Sequence, residues 1–362
     1  MTRRTPLYDE HVKLGAKIVD FAGWEMPVYY SSIIDEHNAT RTKCGIFDVS
    51  HMGEITVKGK NSSTFLKILI PTDFAKLEEK KSMYSVFCNE NGGVIDDLFI
   101  YMVTRDEYIV VVNAGTIEKD FNWMQKNLID DVEIENISDK TAKIDLQGPL
   151  SKKILSEIIK DSRLEEMKRF RFDNFIYKNI NIIISNSGYT GESGFEIYID
   201  NSLAASMWND LLTSGKKYGI LPVGLGARDS LRLESSYSLY GHELSDTITP
   251  VEGGIKWIVS SKEEYIAKKI LADQKENGAS RESIAFKMTG KGIPREGYKI
   301  FHNNIEIGYA TSGGFGPTLK NGIGLALVKS GSAKTGDAIT VLIREKHIEA
   351  VVAEKPFYKY NG

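Results

Sequence analysis

Apolar residues recur at helical spacing in three stretches of the chain. Ile117, Phe121, Met124 and Leu128 fall at i, i+4, i+7 and i+11, which lays one stripe along a helix of about three turns. Met207, Trp208, Leu211 and Leu212 repeat the pattern, with Gly219 as the stop. Leu150, Ile154, Leu155, Ile158 and Ile159 form a third stripe, entered through Gly148 and Pro149, where proline is tolerated in a first turn. Elsewhere the period shortens. Leu98 to Thr104 and Tyr108 to Asn113 are β-branched and aromatic runs across a short charged turn and predict an antiparallel hairpin. Ile180 to Ser185 and Phe195 to Ile199 bracket SNSGYTGESG, whose glycines and small polar residues predict a shaped loop between strands. From about Ser283 the runs IAFKM, YKIFH, IEIGYA, IGLALV, AITVLI and HIEAVVA follow one another, and a small β-barrel is their natural closure. Ser261 to Ser280, rich in Lys and Glu, predicts a connecting helix into it.

Composition narrows the class. With 362 residues, 41% of them hydrophobic, the chain can fill two or three cores. Its 46 basic and 49 acidic residues leave a formal charge of −3, which argues against a protein built to grip nucleic-acid phosphates. No uncharged apolar stretch approaches the roughly 18 residues of a membrane span, and MTRRTPLYDEH lacks the apolar run of a secretory signal, so a cytoplasmic protein is expected. Cys44 and Cys88 are then expected as free, buried thiols.

The candidate chemistry is spare. Histidines 11, 37, 51, 242, 302 and 347 show no metal-ligand spacing, and neither a nucleophile elbow nor a phosphate loop is present. GLGARD at 224–229 lacks the last small residue of a dinucleotide fingerprint and reads as a tight turn into a helix. Arg228 then opposes the macrodipole in the first turn, which calls for an anionic ligand or a buried acid partner. His51, within DVSHMGE, suits a hydrogen-bonded turn at least as well as catalysis. Asp96 and Asp97 open the hairpin strand and point to opposite faces, so they cannot share a proton; one of them is either a turn cap or a lone acid on an apolar cavity wall, its pKa raised by desolvation. Glu196, after the glycine-rich loop, can accept two parallel bonds from the N–H edge of a flat heterocycle. Tyr84, Tyr101 and Tyr189 could supply ring faces or could simply pack.

Together VDFAGWEMPV, GIFDVSHMGE, NENGGVIDDL, VVNAG, LQGP, SGYTGESGFEIY, GLGARDSLRLE and PFYK, in this order, resemble the T-protein family of the glycine cleavage system, the tetrahydrofolate-dependent aminomethyltransferases. The resemblance implies an α+β, three-domain cloverleaf around a central folate channel with a C-terminal β-barrel. The first domain is then discontinuous, 1–52 plus 142–260, with 53–141 inserted as the second and 281–362 as the barrel. It implies transfer of the methylene of an aminomethyl group on dihydrolipoyl H-protein to tetrahydrofolate, giving ammonia and 5,10-methylenetetrahydrofolate, with no metal. Asp97 matches the family's key carboxylate, expected to orient and deprotonate the amine and to stabilise an iminium-like centre. Glu196 is expected to hold the pterin's amino edge, with Met52, Tyr84, Tyr101, Asn113, Tyr189 and Arg228 lining the channel; Arg228 pairs either with Glu196 or with a ligand carboxylate. The chain departs from the family pattern at Ser187 (Thr), Thr72 (Asn), Ser235 and Ser236 (Ala-Gly) and Gly316 (Ser), none expected to touch the acids, and at Tyr360, where many members carry Arg beyond Lys359. Two other functions suit the same scaffold. A folate-dependent demethylase would accept a free methylated donor, and a folate-binding iron–sulfur maturation factor would lack the acid and much of GYTGE.

Overall fold

The computed structural model describes residues 2–360. A six-stranded sheet runs in the order Phe172–Tyr177, Ile180–Ser185, Gly194–Asp200, Thr141–Gln147, Gly45–Asp48, Leu221–Pro222, antiparallel except for its last pair. The chain leaves this sheet after Asp48 and rejoins it at Thr141. Between the two it builds an antiparallel five-stranded sheet, ordered Lys81–Cys88, Val94–Thr104, Glu107–Val112, Gly53–Lys58, Glu133–Asn136. Six further strands close the C-terminal barrel: Arg281–Met288, Asn321–Lys329, Ile305–Gly316, Lys299–His302, Ala338–Ile343 and Lys346–Ala353, the last pairing back onto the first. The alternating runs after Ser283 thus form the barrel they predict, around Phe286, Ile300, Val328, Val341 and Val352. The mixed α+β class and the terminal barrel are both as the sequence implies.

Packing follows the stripes. Helices Ser151–Ile158 and Asn201–Gly215 cover one face of the six-stranded sheet, where Ile154, Leu155, Met207, Trp208 and Leu211 meet Ile144, Leu146, Phe195 and Ile197. Each such buried side chain contributes roughly 1.5–3 kcal/mol. Asp200 caps the longer helix by accepting from the Ser202 N–H, and Gly219, at φ +73°, ends the turn that follows it in a left-handed conformation. Helix Ile117–Lys126 stops before Leu128, which is 44% exposed: Asn127 and Leu128 turn back onto Met124 and Gln125 as the chain heads for edge strand Glu133–Asn136. The hairpin strand begins at Val94, four residues before the predicted Leu98, because Val94, Asp96 and Asp97 find ladder partners on Val86–Cys88 that local pattern cannot reveal. The connecting helix is Lys268–Asn277, shorter than its charged segment and anchored by buried Leu271. Helix Leu225–Glu234 joins sheet to barrel: Ala227 and Leu231 pack on Phe47 and Val223, and Leu233 on Ala285 and Leu325. No described helix is long and apolar enough to cross a membrane, and both cysteines are buried and free.

Candidate functional site

Where the two sheets, helix Leu225–Glu234 and the barrel meet lies a cavity of about 630 Å³. Met52, Tyr84, Asp97, Asn113, Tyr189, Glu196 and Arg228 all line it. Tyr101 does not: it is 1% exposed and lies behind Glu196, where its hydroxyl donates to Oε2 at 2.9 Å.

One wall presents Asp97. Asn89 Oδ1 accepts the N–H groups of Asn91 and Gly93, and this turn feeds strand Val94–Thr104; any Cβ at Gly93 would stand 1.8 Å from the Asp246 carbonyl oxygen. Alternation then sends Asp97 and Phe99 to the cavity and Asp96, fully buried, to the opposite face, so the lone-acid reading replaces the turn cap. Asp97 Oδ2 accepts from the Tyr84 hydroxyl at 3.0 Å and Oδ1 from Asn113 Nδ2 at 2.9 Å. Burial, and then the charge of Asp96, push its pKa up to about 7 against those two hydrogen bonds. At neutral pH this carboxyl can take a proton or give one.

The facing wall presents Glu196. Antiparallel register places Glu196 opposite Asp145 and Tyr198 opposite Lys143. Lys143 Nζ, 3% exposed, reaches Glu196 Oε1 at 2.6 Å, while Tyr101 and Ser187 hydroxyls donate to Oε2. A carboxylate offers about four lone-pair positions, so these three donors leave one open to the cavity. Two parallel bonds to a heterocycle therefore require one hydroxyl to turn away. Ser187, expected to touch neither acid, binds Glu196 because the glycine-rich loop wraps buried Gln147: Gln147 Nε2 donates to the Ser187 carbonyl at 3.1 Å, and a Cβ at Gly188 would sit 2.0 Å from Gln147 Oε1. Burial alone would raise the Glu196 pKa, but Lys143, Ser187 and Tyr101 hold it below the usual carboxylate range. Arg228 pairs not with Glu196 but with Asp145, at 3.3 Å, its guanidinium lying 4.8 Å from the Tyr189 ring centroid. This is the buried acid its position calls for; burial raises the pKa of Asp145 to about 6.

His51 occupies the expected turn, closed by Met52 N–H on the Val49 carbonyl and by Ser50 N–H on Asp48. Burial lowers its pKa to about 4, which keeps the ring neutral. Behind the same wall, Glu54 is buried with both carboxyl oxygens unpaired, and burial raises its pKa to about 8. Among the remaining departures, Thr72 bonds Ser85 at 2.7 Å and Ser235 bonds the Thr190 carbonyl at 2.9 Å. Ser236 sits at φ +55° with its hydroxyl buried and unpaired, and a Cβ at Gly316 would lie 3.1 Å from Glu234 Oε1. Tyr360 is exposed.

Sequence reading missed Lys143, Asp145 and Arg232. Arg232 binds Asp229 at 2.8 Å, Glu243 at 3.1 Å and Ser312 of the barrel at 2.9 Å, and so fixes helix Leu225–Glu234 against that domain. A signal for the other two was present: Lys143 and Asp145 alternate with buried Ala142, Ile144 and Leu146, which marks one polar face on an otherwise apolar strand. No described cluster of His, Cys, Asp and Glu could hold a metal ion.

Comparison with known proteins adds the family. Models described as the GCVT N-terminal domain and the glycine cleavage T-protein C-terminal barrel domain match residues 7–263 and 281–359. An aminomethyltransferase of Caldanaerobacter subterraneus subsp. tengcongensis is 49% identical over 362 residues, covering 99% of this chain and 96% of its own. That of Geobacillus sp. WCH70 is 46% identical, with 99% of each covered. The crystal structure of glycine cleavage system aminomethyltransferase T from Bartonella henselae matches with a TM-score of 0.91 at 32% identity, covering 99% of both chains.

Proposed function

The chain belongs to the glycine cleavage T-protein family of aminomethyltransferases, and we propose that its cavity moves the methylene of an aminomethyl group from the dihydrolipoyl arm of an H-protein to tetrahydrofolate, releasing ammonia. The observation that carries this reading is Asp97, a cavity carboxyl held by two neutral donors with a pKa of about 7. The cavity suits the acceptor: about 630 Å³ is the size of a small-molecule site, Glu196 keeps one acceptor position for an N–H edge, and Tyr189 offers a ring face. Tetrahydrofolate, when bound, supplies the two secondary nitrogens that accept the carbon.

The protein's residues then have separate tasks. Asp97 as carboxylate receives a proton from an attacking N–H and, once protonated, returns it to the departing amine; as an anion it also stabilises positive charge developing on the carbon. In the net balance one acceptor N–H proton ends on ammonia and the other on the dihydrolipoyl thiol. Tyr84 and Asn113 fix the carboxylate plane, and Glu196, fixed by Lys143, orients the heterocycle. We assign the reaction to the cytosol, in keeping with two buried free thiols.

Ammonia release from aminomethylated H-protein, measured with and without tetrahydrofolate, tests the reading. Release should require the folate and fall by about 10²- to 10⁴-fold in Asp97→Asn, with tetrahydrofolate affinity retained. Undiminished turnover in that variant overturns the role of Asp97, and equal tetrahydrofolate binding by Glu196→Ala overturns the pterin assignment.

A further inference from the structure

Asp96, on the blind side of the catalytic strand, accepts from the Asn113 backbone N–H at 2.9 Å, from Asn113 Nδ2 at 2.9 Å and from the Thr116 hydroxyl at 2.7 Å. The same Nδ2 reaches Asp97 Oδ1 and the Asp97 carbonyl oxygen, so one amide group straddles both acids. Facing Asp96 from helix Ile117–Lys126 is Asp120, fully buried; among the described residues no N–H or hydroxyl stands in good hydrogen-bond geometry to either of its oxygens, and burial, then the charge of Asp96 and a hydrogen bond with it, raise its pKa well above the usual carboxylate range. Two buried carboxyls in contact cannot both ionise, and a proton must join them. Asp96 has three other donors and Asp120 has none, so the charge rests on Asp96 and the proton on Asp120. The pair predicted to be impossible between Asp96 and Asp97 thus exists between Asp96 and Asp120.

We propose that Asp120 is a positioning residue for the transfer reaction: its carboxyl proton locks Asp96 as an anion, and the Asp96–Asn113 bridge passes both orientation and negative charge to Asp97. This rests on Asp97 being the reacting carboxylate. The groups facing Asp97 are Tyr84 from strand Lys81–Cys88, Tyr189 from the glycine-rich loop and Asp96 itself; those facing the hidden pair are Thr116 and Lys119 on its own helix and Tyr240 from the segment after helix Leu225–Glu234. Without the Asp120 proton, Asp96 becomes easier to protonate, the like charge behind Asp97 fades, and Asp97 titrates at lower pH.

Carboxyl carbon-13 NMR titration of the free protein, run beside turnover assays, tests the coupling. In Asp120→Ala the Asp97 midpoint should move down from about 7, and turnover at neutral pH should fall by tenfold or more. Asp120→Asn, whose amide still donates to Asp96, should restore both. Should the alanine chain not fold, Thr116→Val removes another donor to Asp96 and should move the midpoint the same way. An unmoved midpoint in Asp120→Ala or Thr116→Val, or an Asp120→Asn variant as impaired as Asp120→Ala, overturns the proposal. If Asp97→Asn remains active, the catalytic reading itself fails, whatever Asp120 does.

Discussion

Asp97 and Glu196 face the same cavity from different sheets, Asp97 half-buried and Glu196 buried, and their pKa values are moved in opposite directions. Asp97 is held by a phenol and an amide, with a second carboxylate behind it, and its pKa rises to about 7. Glu196 has an ammonium at 2.6 Å, and its pKa falls. Burial is common to both, so the difference comes from the partners. One acid is left able to exchange a proton at neutral pH, and the other is fixed as an acceptor. Divergent titration of neighbouring acids is how a single site divides proton transfer from ligand orientation.

The most severe way to break this contrast is to take away the ammonium. Lys143→Met leaves a buried carboxylate without its cation, which should cost about 3–5 kcal/mol of stability. It should also raise the Glu196 pKa, so that tetrahydrofolate binding, which needs the charged acceptor, weakens as pH falls; denaturant unfolding and binding titrations at several pH values measure the two effects. Glu54→Gln probes burial with no partner at all. The folded-state pKa of Glu54, about 8, exceeds the ordinary 4.5, so its folded form retains a proton that the unfolded chain loses, and native stability falls as pH rises between those values. The variant should therefore gain on the parent across that window, by up to about 1.4 kcal/mol for each pH unit, in unfolding experiments at pH 5 and pH 8. Tyr84→Phe sharpens the other side. It removes a hydrogen bond that favours the ionised Asp97, and the acid limb of turnover should move upward by about one pH unit. Smallest is Ser236→Gly, which relieves a left-handed backbone at φ +55° and an unpaired buried hydroxyl; thermal unfolding should show a gain of about 0.5–1 kcal/mol.

Local pattern carried the barrel and the placing of two acids at a strand entry far better than it carried their partners. It left Asp96 and Asp97 undivided between turn cap and cavity acid, and only the family resemblance singled out Asp97, whereas alternation after Ser283 sufficed for the barrel. Lys143 and Asp145 meet Glu196 and Arg228 through cross-strand register and helix packing, over separations of about 50 and 80 residues, and no local period encodes such pairing. The same holds for Asp96, whose proton-sharing neighbour lies on a helix 24 residues downstream rather than beside it in sequence. Leu128 failed for the opposite reason: its spacing was right, but the helix ends at Lys126.

The cavity belongs to no single layer of the molecule. Asp97 comes from one sheet, Glu196 from the other, and Ser312 and Gly313 from the barrel. A ligand lodged there acts as a rivet, because releasing any one wall forfeits that wall's share of its binding energy. Saturation at a hundred times the dissociation constant adds about 2.7 kcal/mol to the intact state. Melting steps that separate in the empty protein should fuse into one once the rivet is in place.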